Sequence, residues 1–127
     1  MCLFENLEYN SRSKELVDRV SKEIIVLDGA MGTMIQQYTL TEADFRGRLF
    51  ADWPLALSGC NDVLCLTRPD IIGEIHRAYL EAGASIITTN SFNSNAVSLA
   101  DYGLEQYVAE LNKRAALLAR GAADSFM

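Results

Sequence analysis

Two short stretches built on β-branched residues constrain this chain more than any other feature: "IIVLD", with its β-branched run from Ile24 to Val26, and "ASIITTN", Ala84 to Asn90. Neither alternates apolar with polar residues. That is the pattern of a parallel strand covered on both faces. The stretches around them read as helices. In "SRSKELVDRVSKE", Leu16, Val17 and Val20 recur at helical spacing, which predicts a helix over about 13–22 capped by Ser11 or Ser13. "GAMGTMIQQY" turns and starts a short helix with Met31, Met34, Ile35 and Tyr38 on one side. "LTRPDIIGEIHRAYLEAGA" carries the fullest set of helix signals. Thr67 is a good N-cap, Asp70 three residues on resembles a capping box, and Pro69 suits a first turn. Ile72, Ile75, Tyr79 and Ala82 form its apolar stripe and Gly83 its stop. A short helix or turn follows at about 94–101. "LEQYVAELNKRAALLARGAAD" then puts Leu104, Tyr107, Val108, Leu111, Ala115, Leu118 and Ala122 on one helical face.

Strands separated by helices imply a parallel sheet with right-handed crossovers. Two parallel strands alone cannot bury both faces of a sheet. The sequence therefore reads as the start of a larger α/β domain. A complete eight-stranded barrel takes roughly 250 residues, and "ADSFM" ends the chain where a further strand should begin. The expected fold class is α/β: the N-terminal part of a (β/α)8 TIM barrel, about two βα units plus an N-terminal helix. Residues 39–62 have no sustained period, yet their aromatics (Phe45, Phe50, Trp53) predict that this long connection packs rather than floats.

Charge and composition narrow the function. A formal net charge of −6 opposes nucleic-acid binding, which needs a basic face. No apolar run approaches the roughly 20 residues of a membrane helix, and "MCLFENLEYN" lacks the basic start and apolar stretch of a signal peptide. A cytoplasmic protein is expected. Cys2, Cys60 and Cys65 have no framework spacing, so reduced thiols are the default.

The stretch "LDGAMGT", Leu27 to Thr33, invites a phosphate-loop reading that its spacing refuses. A dinucleotide fingerprint needs G-x-G-x-x-G, and a Walker loop needs a Lys after its second Gly; Gly29-x-x-Gly32 supplies neither. What remains is Asp28 at the end of the first run, where parallel α/β folds bind ligands. A carboxylate there suits a ligand's amino group. Capping of the helix begun near Ala30 explains it equally well. In "TTNSF", Thr89, Asn90 and Ser91 hold the same place after the second run, where a strand-to-helix cap is the simpler reading. Cys60, Cys65 and His76 match no zinc spacing, and His76 is expected to be a helix residue bonded to a neighbour.

Four segments carry a resemblance: "VLDGAMGTMIQQY", "EADFRG", "GCNDVLCLTRPDIIGEIHRAYLEAGA" and "TNSFNSNAVSLADYG". In this order they resemble the N-terminal homocysteine-binding domain of cobalamin-dependent methionine synthases, from about Ile25 to Asp124. The D-G and T-N-x-F elements are shared with cobalamin-independent homocysteine methyltransferases, but "TEADFRG" is closer to the cobalamin-dependent branch. The resemblance implies a (β/α)8 barrel with residues 1–127 as a partial homocysteine-binding domain. It implies a zinc ion that binds homocysteine sulfur as thiolate, which then takes the methyl group of methylcobalamin to give methionine. A methyltetrahydrofolate domain recharges the cobalamin. By the same resemblance Asp28 helps hold the amino-acid end of homocysteine, Gly29 permits close approach, and Thr89 and Asn90 line the same rim.

The chain also departs from that pattern. The cysteines that ligate zinc in such enzymes lie in a stretch with no counterpart here, so neither zinc nor cobalamin ligands are expected, nor catalytic residues. "ASIITTNSF" stands where "ADIIETNTF" is usual: Ser85 and Thr88 replace acids and Ser91 replaces Thr. The expected function is that of a methionine synthase segment, inactive alone. A non-catalytic interaction module, and a methyltransferase using betaine or S-methylmethionine, are the alternatives.

Overall fold

The structure is a computed structural model that describes residues 10–127. Cys2 and the N-terminal decapeptide's first nine residues lie outside the described residues. Among the described residues seven helices follow one another: α1 (Ser11–Val20), α2 (Met31–Gln36), α3 (Glu42–Arg46), α4 (Leu64–Thr67), α5 (Pro69–Glu81), α6 (Ala96–Leu99) and α7 (Val108–Phe126). Single 3-10 turns at Asn61–Val63, Ala100–Tyr102 and Glu105–Tyr107 join them.

The expected sheet does not form. Among the described residues there is no strand, only one isolated parallel bridge between Leu27 and Ile86. The N–H groups of Ser85 and Ile86 donate to Val26 O (2.8 and 3.2 Å), and the Asp28 N–H donates to Ile86 O (2.9 Å). The expected α/β class, a TIM-barrel portion with two βα units, is therefore corrected to a helical fold with one bridge. The reason is pairing. A parallel strand persists when ladders flank it and layers cover both faces. Here, among the described residues, the two runs share one bridge and neither gains a second ladder, and Ile24 is 91%, Val26 51% and Leu27 59% exposed.

The apolar surface is buried between helices instead. The core gathers Ile71, Ile72 and Ile75 of α5, Leu111 and Ala115 of α7, and Leu64 and Cys65 of α4. The N-terminal start of α5 follows from Pro69, whose fixed φ and missing N–H suit a first turn. Its cap is Arg68 rather than Thr67. Thr67 is used up in closing α4, where its hydroxyl donates to Val63 O (3.3 Å), and Asp70 pairs with Arg68 instead of completing a capping box. The stop at Gly83 is a Schellman motif. Gly83 N–H donates to Leu80 O and Ala84 N–H to Tyr79 O, both 3.0 Å, with Gly83 at φ +107°. At the other end of the chain's helices, α1 is capped by Asn10, not Ser11 or Ser13, and it buries none of its residues.

The long connection packs, as its aromatics predict, and it contains α3. Phe50 is fully buried and meets Trp53 and Tyr107 edge-on, with centroids 5.3 and 5.1 Å away. Trp53 Nε1 donates to Tyr102 O (2.8 Å). Arg46 donates to the carbonyls of Trp53 (2.6 Å) and Leu55 (3.1 Å), while Glu42 accepts from the N–H groups of Leu57 and Ser58 (both 2.7 Å). Backbone groups at Trp53, Leu55, Leu57 and Ser58 are thus satisfied by α3 side chains, and turn hydrogen bonds such as Trp53 N–H to Phe50 O and Cys60 N–H to Leu57 O serve others, with no ladder.

Candidate functional site

The single bridge brings the ends of the two runs together, and the polar residues follow from its register. With Leu27 opposite Ile86, the chain delivers Asp28 beside Thr88. The half-buried Asp28 carboxylate accepts from Thr88 twice. The Thr88 N–H reaches Oδ2 at 2.8 Å, and the Thr88 hydroxyl lies 3.2 Å from both oxygens. Asp28 is therefore not a helix cap: the N-cap of α2 is Ala30, with no side-chain cap bond.

Helix α5 supports this turn from beneath. Tyr79 Oη donates to Ala30 O (3.0 Å), and a Cβ at Gly29 would come within 3.0 Å of the same oxygen and 3.2 Å of the ring. A side chain at 29 would thus press on the Tyr79 ring, which would have to give by a few tenths of an ångström. Thr89 is exposed and shares a 2.6 Å hydrogen bond with Ser91 Oγ. Asn90 is buried and turns inward. Its Nδ2 donates to Asn61 O (2.9 Å) and approaches Cys65 Sγ (3.5 Å), while the Cys65 thiol donates to Asn90 O (3.4 Å). Asp62 anchors the next turn, both of its oxygens accepting from Asn93 N–H at 3.1 and 3.2 Å. Burial raises the Asp62 carboxyl above the usual carboxylate range, against the pull of the Asn93 N–H.

His76 is the residue that sequence reasoning placed least well. Its expected hydrogen-bonded neighbour is absent: neither ring nitrogen has a protein partner among the described residues, and the side chain is fully buried. Burial lowers its pKa, and the nearby Asp28 charge raises it in part. A signal for this burial was present, since His76 continues the Ile72 row at the i+4 position. The depressed pKa gives a linkage with a definite sign. The unfolded chain takes up the proton first, so the stability owed to neutral His76 is complete above about pH 6.5 and is lost as pH falls from there toward the lowered folded pKa. His76→Leu removes a buried polar ring without partners, so at pH 7.5 its Tm should equal or exceed that of the parent. Its Tm should also fall less between pH 7.5 and 5.5. Thermal melts of both proteins at the two pH values check this, and equal losses would refute it.

A sequence model of the family described as homocysteine S-methyltransferase matches residues 25–127. The chain belongs to the homocysteine S-methyltransferase family. The match runs through both bridged segments and the core helices, so the Asp28–Thr88 junction lies wholly within the homocysteine S-methyltransferase region. At the level of this family the chemistry is methylation of homocysteine.

The family usually holds zinc. The described side chains do not fit that ion. No three of their His, Cys, Asp or Glu groups cluster closely enough to hold a metal. Zinc takes the thiolate, whereas burial pushes the Cys60 and Cys65 thiols up to about 11, and Cys65 is engaged with Asn90. No helix among the described residues is long and apolar enough to cross a membrane.

Proposed function

We propose that the chain is the homocysteine-binding segment of a methionine synthase-type enzyme. In such an enzyme the methyl group comes from methylcobalamin, recharged by 5-methyltetrahydrofolate, and methionine is the product. The part assigned to these residues is to seat the amino-acid end of homocysteine. One observation carries this reading: Asp28 stands at the junction of the two runs, oriented by a neutral partner, with its negative charge uncompensated by any cationic side chain hydrogen-bonded to it among the described residues. A fixed carboxylate of that kind suits an ammonium group. Gly29 keeps the adjoining backbone free of a Cβ, and Thr89 adds a hydroxyl on the exposed side. Asn90 contributes by fixing the loop, since its amide is turned to Asn61 and Cys65.

NMR-detected titration of the chain with homocysteine tests the reading. Saturable shifts at Asp28, Gly29, Thr88 and Thr89 are expected. 4-Mercaptobutanoate keeps the thiol and carboxylate but lacks the amino group, and it should bind about tenfold more weakly, the usual weight of one charge-assisted hydrogen bond. Equal binding of the two compounds, or no saturable shift with homocysteine, would count against it.

A further inference from the structure

We infer that Thr88 is a positioning residue: its hydroxyl sets the plane of the Asp28 carboxylate and so the direction in which that group meets the ligand's ammonium. The inference rests on the homocysteine reading above and deepens it. A single N–H, such as the 2.8 Å bond from Thr88 N to Oδ2, holds one carboxylate oxygen but leaves the group free to turn about its Cβ–Cγ bond. The hydroxyl removes that freedom. It lies 3.2 Å from both oxygens, so rotation in either sense lengthens one of the two contacts. Among the described residues no other group hydrogen-bonds this carboxylate, so its orientation depends on Thr88 alone.

The chemistry of the residue matters as much as its position. A cation at 88 would neutralise Asp28 and compete with a ligand ammonium. A hydroxyl donates without altering the charge the ligand meets, and because Oδ2 takes the shorter bond, Oδ1 keeps more acceptor capacity for the ligand. The register of the Leu27–Ile86 bridge places the two residues together, so the arrangement is built by the backbone and does not depend on side-chain chance.

The test compares Thr88→Val, which keeps size and the N–H but loses the hydroxyl, with Thr88→Ser, which restores it. Both sit at an exposed position and should melt with the parent. Homocysteine affinity measured by NMR titration should fall about tenfold in Thr88→Val and return to within about twofold in Thr88→Ser. 4-Mercaptobutanoate affinity should not change in either. In the Asp28→Asn background, Thr88→Val should add nothing, as coupled residues do. A parent chain that ignores homocysteine overturns the binding reading and this inference with it. A parent that binds, with Thr88→Val binding equally well or losing both compounds alike, overturns this inference only.

Discussion

Phe50→Ala should destabilise the protein by about 3–5 kcal/mol, the usual cost of deleting a fully buried phenyl ring. Phe50 is 1% exposed and is the centre of an aromatic group: Trp53 and Tyr107 both meet its ring edge-on, and they meet each other at 6.0 Å. Removing the ring leaves a cavity and strips both partners of their edge contacts, each worth about 0.5–1.5 kcal/mol beyond area burial. The lost group also ties the long connection to the start of α7, so relaxation cannot refill the space cheaply. Small domains have about 5–15 kcal/mol in total, so the variant should unfold at markedly lower denaturant. Urea melts followed by Trp53 fluorescence check this, with the midpoint shifted down and the slope retained. A cost below about 1 kcal/mol would mean that the aromatic group is not part of the core.

The largest effect on ligand binding is expected from Asp28→Asn. The substitution keeps shape and can still accept the Thr88 N–H, but it removes the charge. Loss of a hydrogen bond to a charged group costs about 1.5–3 kcal/mol, so homocysteine affinity should fall about 10- to 100-fold. The melting temperature should change little, because Asp28 is half-buried and Thr88, the one partner of its carboxylate among the described residues, is exposed. Titration of parent and variant under identical salt decides the matter. Unchanged affinity would remove Asp28 from the site, and a collapsed fold with lost binding would make it a structural residue.

Both outcomes depend on features that were legible to different degrees. The body of α5 could be read from the chain because Pro69, the Ile72–Ile75 pair and Gly83 each act within a few residues of themselves. Its first cap could not, because Thr67 was claimed by a helix that ends one residue earlier. The packing of residues 39–62 was foreseeable from their aromatics, whereas α3 was not: five residues give too little period to detect. In the site, Asp28 and Gly29 stood out by position. Thr88 stands in the sequence only as a departure from the usual acid, and the bridge register makes it Asp28's partner. Asn90 was placed on the rim with Thr89, and the fold turned its amide to the interior.

By itself, then, the sequence determined the helices α1, α5 and α7, the Gly83 stop, the refusal of a phosphate loop and the family resemblance. All of these rest on residues close together along the chain or on their order. The tertiary structure alone decided whether the two β-branched runs became strands, which ring nitrogens were left without partners, and which side chain holds Asp28. Those outcomes are contacts between distant segments. A β-branched run records a local preference for extended backbone, but a strand exists only where another segment completes its hydrogen bonds and covers its faces, and here Val26 and Leu27 found a single bridge and stayed half in solvent.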